Sequence, residues 1–433
     1  MAIGPLAHCW CNRLTGPSGF SYLKTGDSES AKMIENPEYI RNGIHQLKSR
    51  NKLYIIGQLG NSVSTSGKKI TEEYANSNNM SYEYYNYLDI AKKFSELRPE
   101  KVFKLNTANF IDGWGGLWNE NPCEKQITFD TMVKVVEQSQ TIEKLKFVIG
   151  LRTEIGKELE RRGIQMEEHE KLLLDCSSIY KREKVKEEIE VLQNSCSNEK
   201  CGCKSLTYER VSGINQVPIG NYLVVRLMSL DHTMILDFLM REVGPLEAMR
   251  NHFEKLMEEG QIWQWLPYFV CLGYYDKDQF RHDIADGFNI SQSMFLHCES
   301  IAKYIKPKKE LAPLWSTRFC CDPHVKKQDN NPSDVVVFWH TFLYICAFHA
   351  CFKKYPKQML RFCNLDAILQ LVRPKDYHDP LTIVADDKEV DFFYNERLKN
   401  RAIVSSLSEH PLVKERRNRR KSRGIKTLFK KHA

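Results

Sequence analysis

Apolar positions form short unbroken runs over the first third of the chain and helical stripes over much of the rest. Leu53-Tyr54-Ile55-Ile56-Gly57, led in by Arg50-Asn51-Lys52, is an apolar run closed by glycine, as a buried strand of a parallel sheet would be. Val102-Phe103-Lys104-Leu105 and Leu145-Lys146-Phe147-Val148-Ile149-Gly150-Leu151 repeat the pattern. The spacing turns helical over 88–97 and 129–142, and a stripe through Ile40, Ile44 and Leu47 predicts a helix over 28–48. Strand–helix–strand alternation on this scale predicts an α/β domain, a parallel sheet layered between helices.

The character changes after Glu154. Residues 155–195 are charged and helical, with Val185, Ile189 and Leu192 on one stripe. From Leu223 to Lys303 the chain reads as all-α and rich in aromatics. A Pro- and Lys-containing connection follows over 306–331, then a strand–helix unit at 335–355, a shorter helix over 356–371 and a loop over 373–380. No repeat of 20–50 residues is present. The predicted division is a loose Gly/Pro/Ser-dotted leader (1–30), an α/β domain (31–205), a helical domain (206–305), a third domain (306–405) and a disordered basic tail (410–433).

Composition sharpens this picture in three places. Hydrophobic residues at 42% and charged residues at 27% exclude a mostly disordered, collagen-like or multi-span membrane chain. The formal charge of +8 is concentrated: residues 414–431 hold ten Lys/Arg and one Glu, so the rest of the chain, +8 less +9, carries −1. The 14 cysteines are sparse beside the roughly 8–10% of disulfide scaffolds. The opening MAIGPLAHCWCNRL has neither the basic nor the apolar region of a signal peptide, so the expected setting is the cytosol or nucleus, with free thiols. Val335–Phe352 is free of Asp, Glu, Lys and Arg, but His340, Thr341, His349 and its β-rich start favour a buried strand running into a buried helix over a membrane span.

The candidate chemistry lies first in Gly57-Gln58-Leu59-Gly60-Asn61-Ser62-Val63-Ser64-Thr65, a glycine turn between a strand and a helix. Backbone N–H groups and a helix N-terminus can neutralise phosphate there. On the frame G-x-x-x-x-G-K-[ST], Gly57 is the first glycine and Ser64 the magnesium hydroxyl, whereas Ser62 replaces the second glycine and Val63 the lysine. Gly67-Lys68-Lys69 follows two positions too late. Cysteines cluster as Cys196-x4-Cys201-x-Cys203, Cys320-Cys321-x2-His324 and Cys9-x-Cys11, each short of a four-ligand site. Only Cys201 and Cys203 with Cys321 and His324 would complete a set, and free loop thiols are the simpler reading, so no metal is assigned. Cys346 and His349 lie three apart on an apolar helix, where core packing explains them better than a nucleophilic pair.

The order of segments resembles the STAND class of P-loop NTPases, and within it the "novel STAND 3" modules. YIRNGIHQLKSRNKLYIIGQLGNS (39–62) is similar to the lead-in helix, first strand and phosphate loop, and PEKVFKLNTANFIDGWGG (99–116) to the Walker B strand. KLKFVIGLRTEI (144–155) resembles the following strand with its Arg, here Arg152. QVPIGNYLVVRLMS (216–229) resembles the Gly-x-Pro region, and 335–363 the winged-helix segment with its histidine, here His340. The resemblance covers about residues 30–400. It implies a P-loop domain, a helical domain and a winged-helix-like domain, with ATP or ADP and Mg²⁺ as the cofactors to test.

The departures fall on the functional groups. The resemblance places the phosphate lysine at Val63, the Walker B acids at Asn106 and Thr107, the adenine-side proline at Tyr222 after Gly220, and the His-Asp pair at His340-Thr341. Asp112 is discounted as lying past the end of the strand. Without a lysine and a Mg²⁺ anchor, phosphoryl transfer loses its charge neutralisation. The expected function is therefore a non-hydrolysing scaffold working with protein partners in a signalling assembly. The alternatives are a divergent active ATPase switch, with Lys68 or Lys69 reaching back to the phosphates, and a binder of nucleic acid or anionic membrane through 414–431.

Overall fold

The structure is a computed structural model and describes residues 38–86, 102–114, 144–161, 163–174, 179–199, 201–214, 219–240, 243–259, 263–275, 280–291, 304–307, 336–377, 380–398 and 410–416. The chain divides into two compact units, 1–37 and 38–433, and every described residue belongs to the second. The predicted leader, the helices at 88–97 and 129–142, and the cysteines at 9, 11, 320 and 321 lie outside the described residues.

Helix α1 (Glu38–Ser49) leads into β1 (Lys52–Gly57), then α2 (Val63–Ser77), β2 (Ser81–Asn86), β3 (Thr107–Trp114), β4 (Leu145–Arg152), α3 (Thr153–Arg161) and β5 (Lys171–Leu174). The five strands form one sheet in the order β2-β3-β4-β1-β5, parallel at every pairing. Both faces of β1 and β4 are buried, which is why their sequences are runs and not alternations. Leu53, Ile55, Phe110 and Val148 face Leu47 of α1 and Ile70 and Tyr74 of α2. Tyr54, Ile56, Ile111, Phe147, Ile149 and Leu151 face the other way, against Ile155 and Leu159 of α3. The expected α/β domain with helices on both faces is therefore present.

One predicted strand is displaced. Val102–Leu105 is not part of the sheet; β3 begins at Thr107, and Val102 and Phe103 lie buried in the turn before it. Phe103 packs edge-on against Phe147, with ring centroids 4.8 Å apart.

Helix α4 (Ile179–Ser195) carries its Val185, Ile189 and Leu192 stripe into a second, larger core. That core also gathers α5 (Tyr208–Ile214), α6 (Asn221–Met228), α7 (Thr233–Met240), α8 (Pro245–Glu259), α9 (Leu266–Leu272) and α10 (His282–Gly287). It continues through β6 (Ile305–Pro307), its antiparallel partner β7 (Val336–Phe338), α11 (Thr341–Lys354), α12 (Pro356–Phe362) and α13 (Leu365–Leu371). β8 (Val372–Pro374) pairs parallel with β9 (Ile383–Ala385), and α14 (Asp387–Phe393) starts from a reciprocal Asp386–Glu389 capping box.

The Val335–Phe352 stretch contains a strand running into a buried helix, as its sequence suggests. α11 spans about 21 Å at 1.5 Å per residue, short of the roughly 30 Å of a bilayer core. No helix among the described residues is long and apolar enough to cross a membrane. Of the span 410–433, expected to be a disordered tail, residues 410–416 are described and ordered. Residues 411–416 are helical, Leu412 and Val413 are buried in the large core, and the Arg416 guanidinium lies 3.6 Å over the Tyr394 ring.

Candidate functional site at the carboxyl ends of β1 and β4

Strands β1 and β4 are neighbours whose following helices, α2 and α3, lie on opposite faces of the sheet. In open α/β sheets such a reversal opens a crevice at the carboxyl ends of the two strands, where ligands bind. The glycine turn after β1 occupies that position. Gly57 pairs with Arg152 on one side and Leu174 on the other, so the predicted Gly57 and Arg152 share one edge of the sheet. Arg152 is also ion-paired to Glu154 at 3.6 Å.

The turn is held from several sides. The Asn61 N–H donates to the Gln58 carbonyl at 3.0 Å, and the buried Asn61 amide donates to the Leu174 carbonyl at 3.0 Å. The Gly220 N–H donates to the Leu59 carbonyl at 2.8 Å, which brings the start of α6 against the loop. Gly60 has φ of 87°, and a Cβ there would stand 2.7 Å from Leu223 Cβ. Ser62 also adopts a left-handed conformation, φ 62° and ψ 28°, with no capping bond from its side chain. The backbone thus keeps a glycine-type turn at a residue that is not glycine, at a cost of roughly 1–2 kcal/mol. Thr65 is exposed in the first turn of α2.

Val63 opens α2 and turns in towards the sheet. Its Cγ2 lies 3.0 Å from where a Gly57 Cβ would be, and its Cγ1 lies 3.2 Å from the corresponding point at Gly150. An apolar side chain therefore lies between the ends of β1 and β4. The Lys68 and Lys69 ammonium groups pair with Glu72 at 3.7 Å and Glu73 at 3.9 Å, one turn further along α2.

Asp112 brings a carboxylate to the start of α2, whereas Asn106 and Thr107 lie elsewhere. Asn106 and Thr107 sit at the amino end of β3, away from the loop, where Asn106 bonds the Asn79 carbonyl and Thr107 the Lys104 carbonyl. Asp112 lies at the carboxyl end of β3, within the strand and opposite Asn86. The β3–β4 register slips by one residue between Ile111 and Trp114, with Gly113 at φ 68°. An irregularity of this kind re-aims a side chain. Asp112 Oδ1 accepts a hydrogen bond from the Ser64 hydroxyl at 3.2 Å, and a Cβ at Gly150 would lie 3.1 Å from it. Burial, and then the Glu72 and Asp112 carboxylates, push the Tyr82 phenol well above its ordinary pKa. Gly150, bare in the middle of a sheet, was the sequence signal for this close approach.

His340 belongs to the larger core. It caps the N-terminus of α11 by accepting the Phe342 N–H on Nδ1 at 3.1 Å. Burial, and then the nearby Arg226 charge, lower its pKa to about 3. Arg226 is on α6 and lies over the Trp339 ring at 5.8 Å. α6 therefore runs from the loop towards His340. Cys346 and His349 are both buried: burial holds the thiol protonated and lowers the imidazole to about 4, so this pair does not supply a thiolate.

Compared with known protein families and with curated protein sequences, the chain matches none.

Proposed function

We propose that this chain is a degenerate P-loop module of the STAND type. It keeps the metal half of a nucleotide site and has lost the phosphate half, and it acts as a scaffold for protein partners instead of hydrolysing ATP. The observation that carries the reading is the pair of neighbours at the start of α2. Ser64 bonds the carboxylate of Asp112 at the crevice, in the arrangement a Mg²⁺ anchor requires. Val63, beside it, packs against Gly57 and Gly150 in place of the cation that would hold the β- and γ-phosphates. The parallel sheet, the glycine turn at its reversal point and the Gly220 contact with that turn support the same reading. In it, the larger core corresponds to the helical and winged-helix-like parts, with His340 at the head of α11.

Calorimetry with ATP and ADP, with and without Mg²⁺, together with a turnover assay, tests this. The expected result is no turnover and no tight Mg-ATP binding. The Ser64–Asp112 pair also favours a second reading, a divergent but active nucleotide switch. Micromolar Mg-ATP binding with measurable hydrolysis would establish that switch and end the scaffold proposal. The basic segment adds an anion-binding role towards nucleic acid or an anionic membrane, carried on the docked stem at 410–416. Deleting 417–433 should then weaken binding to either polyanion, steeply with salt.

A further inference from the structure

Three cysteines and a histidine converge beyond the end of α4. Cys196 follows the helix directly, Cys201 and Cys203 flank Gly202 in a short 3-10 turn, and His232 lies in the turn between α6 and α7. The three Sγ atoms and an imidazole nitrogen all lie within 4.8 Å of one another. A tetrahedral zinc site with Zn–S near 2.3 Å puts its sulfurs about 3.8 Å apart and a sulfur and nitrogen about 3.5 Å apart. Cys201 Sγ and His232 Nδ1 are 3.3 Å apart. Cys203 is buried and the other three are half-buried, so the cluster has one closed side and an entry path.

The loop that carries the thiols is built rigidly. The Gln193 side chain donates to the Cys203 carbonyl at 2.9 Å and to the Leu206 carbonyl at 3.0 Å. The Cys201 N–H closes a turn on the Asn198 carbonyl at 3.0 Å, and the Lys204 ammonium bonds the Gln193 carbonyl. None of the three thiols is in a disulfide.

We infer that Cys196, Cys201, Cys203 and His232 form a structural zinc site that ties the end of α4 to the α6–α7 turn. Four protein ligands fill the coordination sphere, which is the pattern of a structural and not a catalytic metal. The set differs from the one the spacing suggested: among the described residues, Cys196 and His232 join Cys201 and Cys203. It is independent of the nucleotide reading, because none of its residues belongs to the glycine turn.

The test uses the full chain purified under reducing conditions without added metal. Elemental analysis should find one zinc per chain, and exchange for Co²⁺ should give thiolate charge-transfer and tetrahedral visible bands. Cys201→Ser and His232→Ala should lose the bound metal, with affinity lowered at least about 100-fold. His232→Cys should keep one equivalent and move the cobalt bands towards a four-thiolate pattern. His324→Ala should change nothing. In the unaltered protein, alkylation at Cys196, Cys201 and Cys203 should be blocked until a chelator is added, which removes dependence on a variant's folding. Sub-stoichiometric metal, metal retained unchanged in both Cys201→Ser and His232→Ala, metal lost with His324→Ala, or unprotected thiols would each overturn the site.

Discussion

Replacing Val63 with lysine supplies the cation that a phosphate site of the proposed kind would need, and the structure sets the size of the effect. Val63 touches Gly57 through one methyl and Gly150 through the other. Lysine has a single Cγ, so one contact is lost, a stability cost of about 0.8 kcal/mol. The new ammonium stands beside Ser64 and the Asp112 carboxylate, which attracts it in the free protein. A phosphate then competes for it, gaining a charge-assisted bond worth about 1.5–3 kcal/mol. That corresponds to a roughly 10- to 150-fold tighter dissociation constant for ADP or ATP. Titration of a fluorescent ADP analogue into Val63→Lys and the unaltered chain, with Mg²⁺ present, reads this directly. Adding Asp112→Asn, which keeps an acceptor for Ser64 but removes the charge, should abolish the Mg²⁺ dependence of the gain. An unchanged affinity in Val63→Lys, with the fold intact by circular dichroism, would refute the view that Val63 stands in for a phosphate lysine.

A methyl group at Gly220 would come 2.1 Å from Asn61 Oδ1, whose amide is already committed to Leu174, so Gly220→Ala should destabilise by about 2–4 kcal/mol. In the double variant with Asn61→Ala the clash partner is gone, and chemical-denaturation midpoints should show the two costs adding to less than their sum. Lys68→Ala with Lys69→Ala removes only two exposed i,i+4 pairs, so thermal stability should fall by less than about 1 kcal/mol and nucleotide titrations should not change. His340 and His349 are held at about 3 and about 4, below the ordinary 6.5, so the unfolded chain takes up their protons first as pH falls. Stability from both is present above pH 6.5 and is lost as pH drops through that window. Protonation also removes the Nδ1 acceptor that caps α11. The melting temperature should therefore fall steeply with acid, and His340→Gln should flatten part of the slope.

Strands buried on both faces were legible because nothing in them conflicts with burial. Lys52–Gly57 and Leu145–Arg152 read as apolar runs and fold as such. β3 was misplaced because its polar residues are satisfied in ways a linear pattern cannot display. Asn109 is buried, yet it bonds Thr107 and the Lys146 carbonyl, so a strand containing Thr107 and Asn109 is compatible with the interior. The more hydrophobic Val102–Leu105 forms the turn instead, with Leu105 pointing into solvent. With the strand placed five residues too early, Asp112 fell past its expected end and was discounted, whereas it lies within β3. β2 and β5 escaped notice for another reason: both are edge strands, each paired on one side only, so neither needs a long apolar run. The glycine turn and Arg152 were readable because strand ends fix them. The Ser64–Asp112 contact joins residues 48 positions apart and the Cys201–His232 contact residues 31 apart, and spacing alone does not reach that far.

Helix α6 acts as a stiff strut between the two halves of the described body. Leu223 touches Gly60, and Arg226, one turn further on, lies over Trp339 at the head of α11. Gly60 has no free space on that side, so the loop cannot change its path there without pushing the strut, and the strut cannot shift without deforming the loop. Any change in packing of the larger core that displaces α6 would therefore be felt at the glycine turn.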